Sequence, residues 1–143
     1  MEVNAITERI IGAGMSVHSA LGPGLLESAY LGCMVHELRK RGLRVESEVA
    51  LPVEYDGTRI DVGYRLDLLV ENEIIVELKA VERVLPIHQA QLLTYLKLSE
   101  KPIGLLINFY VLHLRDGIKR MINAQPLRPS ASSVVQTNDK DFR

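Results

Sequence analysis

The sequence predicts an α/β (α+β) domain in which a central mixed β-sheet is flanked by helices. Three observations carry this. The first forty residues repeat apolar side chains at helical spacing. The period then shortens to two. Two strongly apolar strands are followed by one more helix and a continuous apolar run, Ile103 to Phe109. A helix between strands is how a chain builds a parallel pair, and a strand apolar throughout is one covered on both faces.

The elements follow in order. Ile6, Ile10 and Val17, with Ile11 and Met15 beside them, predict a helix over 4–20 with Asn4 as its N-cap. Gly22-Pro23-Gly24 ends it. Leu26, Tyr30, Met34 and Leu38 form one stripe of a second helix over about 25–41, stopped by Gly42. Residues 43–49 alternate, with Leu43, Val45 and Ser47 on one side and Arg44, Glu46 and Glu48 on the other. Val53 to Tyr55 and Thr58 to Val62 make a hairpin about Asp56-Gly57. Strands over 64–70 and 74–80 are joined by Glu71-Asn72-Glu73. Pro86 opens a helix to about Leu98, a position where proline is tolerated. After the 103–109 strand, residues 111–115 predict one more short strand before Asp116-Gly117. From Ala124 the chain is rich in Pro and Ser without a period. It is expected to be a flexible tail (124–143) behind a 1–123 domain.

Composition bounds the function. The chain has 143 residues, 47% hydrophobic and 24% charged, with a formal net charge of -1. That suits one globular domain and argues against a strongly basic nucleic-acid clamp. Cys33 is the only cysteine, so no internal disulfide forms. With no apolar run of membrane-spanning length and no signal-peptide core, a cytoplasmic protein without a membrane partner is expected. Aromatic residues are 5% with no Trp, so an aromatic platform for single strands is not expected.

The most informative segment is 64–79. With a three-residue connection, Val70 faces Ile74, Leu68 faces Val76 and Leu66 faces Leu78, making one face wholly apolar. On the other face Leu69 meets Ile75 and Asp67 meets Glu77, with Lys79 two residues on. Paired carboxylates repel, and burying them unpaired costs several kcal/mol or forces protonation of one. Lys79, Arg65 or a divalent cation must compensate. Two carboxylates that hold Mg²⁺ beside a lysine suit phosphodiester hydrolysis. The alternative from spacing alone is a structural ion-pair cluster at a strand end.

Asp67 followed by Glu77-Leu78-Lys79 resembles the motif of the PD-(D/E)XK nuclease superfamily, with Leu66 where that motif nominally has proline. Gly24-Leu25-Leu26-Glu27-Ser28-Ala29-Tyr30 is a literal GxxExxY. With the runs 75–82, 88–97 and 104–109 it resembles the GxxExxY protein family within that superfamily, over about residues 4–122. The resemblance implies a restriction-endonuclease-like core and a Mg²⁺ (or Mn²⁺) site for cleaving nucleic acid, with DNA the expected substrate. It implies Asp67, Glu77 and the Leu78 carbonyl as metal ligands, with Glu27 joining directly or through water. Lys79 and Gln91 are the further catalytic candidates it implies. A nuclease-fold module that binds nucleic acid or a protein without cutting is the alternative.

Other residues have bland readings beside functional ones. Glu27 also suits the positive end of a helix. Tyr30 suits the core with its hydroxyl hydrogen-bonded. His88, Gln91 and Tyr95 share one helical stripe: Gln91 as a water or phosphate contact, Tyr95 beneath it, His88 as a phosphate contact or a surface residue. His18 is expected to be a structural partner near the Gly22-Pro23-Gly24 turn. Gly22 and Gly24 lack the Lys and Ser/Thr of a Walker loop and read as turn residues. So small a domain covers few base pairs, which makes a homodimer plausible without an identifiable interface.

Overall fold

The computed structural model describes residues 1–124; most of the expected tail, 125–143, lies outside them. Helices α1 (Val3–Leu21) and α2 (Glu27–Lys40) precede strands β1 (Val45–Ala50), β2 (Val53–Tyr55), β3 (Thr58–Ile60), β4 (Arg65–Val70) and β5 (Ile74–Lys79). Helix α3 (Pro86–Ser99), strand β6 (Ile103–Asn108), a 3₁₀ turn (Leu114–Gly117) and strand β7 (Ile118–Ile122) complete the order. Five strands form one mixed sheet in the order β1-β4-β5-β6-β7, and β2 and β3 form a separate hairpin. Only β5 and β6 run parallel, joined through α3.

Two apolar cores sandwich the sheet. Ile6, Ile10, Tyr30, Met34 and Leu38 of the first two helices pack on Leu68, Val70, Ile74, Val76 and Leu78. Leu92, Tyr95 and Leu96 of α3 pack on Leu66, Leu69, Ile75 and Leu106 of the other face. Every residue of β6 is buried, as its unbroken apolar run requires. The three-residue connection is present: Val70 pairs with Ile74, Leu69 with Ile75 and Leu68 with Val76.

Several local expectations are corrected. The N-cap of α1 is Glu2, whose carboxylate accepts from the Ala5 N–H at 3.2 Å. Asn4 lies one residue inside the helix and accepts instead from Arg120 at 2.8 Å. Leu26 is the extended N-cap of α2 rather than part of its buried stripe, and is 75% exposed. Ser47 is exposed although Leu43 and Val45 are buried. The strand expected over 111–115 is absent, because the chain turns through Leu114–Gly117 and the final strand is 118–122. That strand pairs antiparallel with β6 at the sheet edge and is half-buried at best, so its apolar pattern is faint.

The face expected to carry Leu66, Leu68 and Val70 together does not exist. Leu68 and Val70 enter the core under α1 and α2, whereas Leu66 enters the core under α3. On β1, Val45 and Val49 part in the same way. Both strands therefore change face between these positions, at Asp67 on β4 and at Glu48 on β1. Glu48 carries φ +52°, a left-handed conformation uncommon for a non-glycine residue.

Two glycines set a stability contrast. A Cβ on Gly117 would collide with the backbone carbonyl of Asn108, whereas a Cβ on Gly32, exposed in α2, would meet nothing within 4 Å. In urea denaturation, Gly117→Ala should lose at least about 2 kcal/mol, and Gly32→Ala should gain about 0.5–1 kcal/mol by helix propensity.

Candidate active site

The face change at Asp67 opens the ladder between β4 and β5. Regular pairing ends at Leu68–Val76, one step short of Asp67 and Glu77. The freed backbone donors are taken by the two side chains crosswise: the Asp67 N–H donates to Glu77 Oε2 at 2.9 Å, and the Leu78 N–H donates to Asp67 Oδ2 at 2.8 Å. Each carboxylate thus replaces a missing strand acceptor with one oxygen. Among the described residues, Asp67 Oδ1 and Glu77 Oε1 accept no hydrogen bond from the protein.

Charge makes this pair unusual. Glu77 is 9% exposed, and neither carboxylate has a basic ion-pair partner among the described residues. Burial first, and then repulsion from Asp67, push the Glu77 carboxyl up to about 8. Burial likewise raises Asp67, against the Leu78 N–H bond that lowers it. Lys79 acts favourably on both carboxylates, but burial outweighs it. A buried carboxylate pair short of positive charge, with one open oxygen on each member, is the donor chemistry that hard divalent cations take, with water filling the other positions. Among the described residues, no three His, Cys, Asp or Glu side chains come together closely enough to form a metal cluster by themselves.

Glu27 is exposed at the first position of α2, and its charge raises both Asp67 and Glu77. Its approach depends on the loop before it. Gly22 and Gly24 adopt φ +70° and +110°, as the expected turn residues. Buried Tyr30 donates its hydroxyl to the Gly22 carbonyl at 2.6 Å and accepts from the Leu25 N–H at 3.2 Å. Its ring stacks on Phe109 at 4.2 Å. The Tyr110 hydroxyl donates to the Leu25 carbonyl at 3.0 Å. The tyrosine of the GxxExxY run therefore ties down the loop that delivers its glutamate. His18 is buried, with Nε2 2.8 Å from the Val111 carbonyl, and its own carbonyl accepts the Gly22 N–H.

Lys79 ends β5 and pairs in register with Asn108. The segment after it is held by the buried Asn108 amide, which accepts from Val81 N–H at 3.1 Å and donates to Val81 C=O at 2.8 Å. On α3, Gln91 is exposed and Tyr95 is buried beneath it. Burial raises the Tyr95 hydroxyl, with the charge of Glu77 next in effect. His88 serves as a cap: its Nδ1 accepts the Leu85 N–H at 3.0 Å at the start of α3. Sequence reasoning missed Glu48, Asn108 and Tyr110. Glu48 lies on β1 between the pairs Ser47–Leu68 and Val49–Leu66, opposite Asp67, and its charge also raises that residue. Its only signal was a place in an alternating strand, which read as solvent-facing.

Two measurements check this arrangement. Between about pH 4.5 and 8 the unfolded chain has released the Glu77 proton while the folded chain keeps it, so stability must fall as pH rises. The Tm in EDTA should drop from pH 5 to pH 8, and Glu77→Gln should flatten the drop. Tyr30→Phe strands the Gly22 carbonyl and should cost about 1–2 kcal/mol in chemical denaturation.

A search of curated proteins gave no match. Among solved structures, one described as "Crystal structure of SSO0001" is 23% identical with a TM-score of 0.42; the match covers 79% of this chain and 58% of that one. The family profile described as PD-(D/E)XK nuclease superfamily matches residues 4–121, which include the GxxExxY run, Asp67 and Glu77-Leu78-Lys79. The chain belongs to the PD-(D/E)XK nuclease superfamily.

Proposed function

We propose that this protein is a divalent-metal-dependent phosphodiesterase that hydrolyses nucleic acid, with DNA as its substrate. The observation that supports this most is the buried Asp67–Glu77 pair at the open ladder, short of positive charge and two residues from Lys79. Asp67, Glu77 and the Leu78 carbonyl would hold Mg²⁺ or Mn²⁺, with Glu27 reaching it through water. When bound, the ion supplies Lewis-acid polarisation of the scissile phosphate. Lys79 orients the attacking water and offsets negative charge that grows in the transition state. Gln91 holds a water or a phosphate oxygen from the exposed face of α3. The water oxygen forms the new bond to phosphorus, and the leaving sugar oxygen departs with a proton.

One observation favours a second reading, a nuclease-fold module that binds nucleic acid or a protein without cutting. Glu27 does not close with Asp67 and Glu77 into a three-carboxylate cluster.

Hydrolysis assays separate the two. Asp67→Ala and Lys79→Ala, each folded, should lose hydrolysis by at least about tenfold. Mn²⁺ should raise the Tm by mass action, and Glu77→Ala should abolish the rise. Wild-type protein inert with both ions on single-stranded, duplex, branched and RNA substrates would overturn the first reading.

A further inference from the structure

A groove of about 390 Å³ opens between helix α3 and the segment that leads into β4, and one of its lining residues, Tyr95, lies within reach of the charges of Glu77 and Asp67. Tyr64 and Tyr95 stand in its wall with ring centroids 6.1 Å apart, tilted by 49°. Val53 and Ile87 add apolar surface, and Gln91 and Thr94 add an amide and a hydroxyl. Tyr64 is 47% exposed, although no core requires it to be. The lining is mostly apolar with a few converging polar groups, which is the character of a small-molecule site.

Its position selects among ligands. Tyr64 lies three residues before Asp67, and Tyr95 belongs to the core under α3 and feels the charge of Glu77. Among the described residues no basic side chain lines the groove, and the charges of Glu77 and Asp67 reach its Tyr95, so an anionic group such as a phosphate is disfavoured in the groove itself. A planar, uncharged heterocycle with hydrogen-bonding edges suits it: the exposed Tyr64 ring, backed by buried Tyr95, offers a stacking surface, and Gln91 and Thr94 offer edge contacts. A base paired inside a duplex hides its faces and cannot enter.

We infer that the Tyr64–Tyr95 groove receives an unpaired nucleobase adjoining the phosphate at Asp67 and Glu77, so that the protein selects single-stranded or locally unpaired nucleic acid. This rests on the nuclease reading for its orientation, and it reverses the expectation drawn from aromatic content. Composition counts tyrosines; the fold brings two of them together at the site.

Equilibrium binding tests it, with Ca²⁺ added to offset the two carboxylates, using labelled single-stranded oligonucleotides of DNA and of RNA, the matching duplex, and the single strand with one abasic residue. The DNA or the RNA single strand should bind at least about tenfold more tightly than duplex, and Tyr64→Ala should lose about tenfold on the single strand. Tyr64→Trp should restore binding, and the Mn²⁺-induced rise in Tm should be unchanged in both variants. Stepping the abasic residue along the strand should weaken binding at one position in the wild-type protein and nowhere in Tyr64→Ala. Duplex bound as tightly as single strand, or single-strand binding indifferent to Tyr64→Ala, would overturn the inference. If hydrolysis is absent while the Tyr64 dependence persists, the nuclease reading fails and the base groove stands; if hydrolysis is present without that dependence, the groove fails alone.

Discussion

The site depends on one broken ladder. Backbone N–H and C=O groups in a sheet must find partners, and between β4 and β5 that pairing stops where Asp67 meets Glu77. The two carboxylates stand in for the missing acceptors, each taking an N–H beside the other. Because each accepts from a backbone N–H, the sheet itself helps to hold both carboxylates in place. The price is two acidic groups in a poorly solvated place, one of them pushed up to about 8.

The surrounding structure holds that break open. β1 and β4 change face together, so Leu66 and Val49 turn to the core under α3 while Leu68 and Val45 stay under α1 and α2. Two independent cores clamp the sheet on either side of the pivot. Glu48 absorbs the turn on β1 with a positive φ, a cost of order 1–3 kcal/mol for a non-glycine residue. Strain at Glu48 on β1 and uncompensated charge at Asp67 on β4 thus face each other between the pairs Ser47–Leu68 and Val49–Leu66.

Hydrogen bonds from remote parts of the chain then place the peripheral groups. Tyr30 and Tyr110 pin the loop before Glu27, and Asn108 pins the segment after Lys79. Phe109 links the two sides: its ring stacks on Tyr30 and its N–H donates to the Lys79 carbonyl. Residues 108–110 thus join the helix-borne glutamate to the strand-borne lysine through one short segment. In the sequence Asn108 and Phe109 closed an apolar strand and a run of the family resemblance, and Tyr110 fell just outside both.

Much was nevertheless legible. Helical spacing located α1 and α2, alternation located β1 and apolar runs located β4, β5 and β6, because burial selects for apolar side chains; turn and helix-start residues, Asp56-Gly57 and Pro86, marked the exposed β2–β3 hairpin and α3. The same rule failed for β7, an exposed edge strand with little to bury. Pairing across the Glu71-Asn72-Glu73 turn followed from matching apolar partners, and it put Asp67 and Glu77 side by side. What the sequence by itself determined was therefore the order of elements, the register of the central hairpin and the chemical identity of the acidic pair and its lysine. Only the tertiary structure decided that the ladder opens there, that Glu48 and Glu27 add their charge, that His88 is spent on a helix cap, and that Tyr64 and Tyr95 share a groove. The reason is physical. Periodicity records which side chains avoid water, whereas strand splaying, backbone acceptor replacement and contacts between distant segments arise only when all layers pack together.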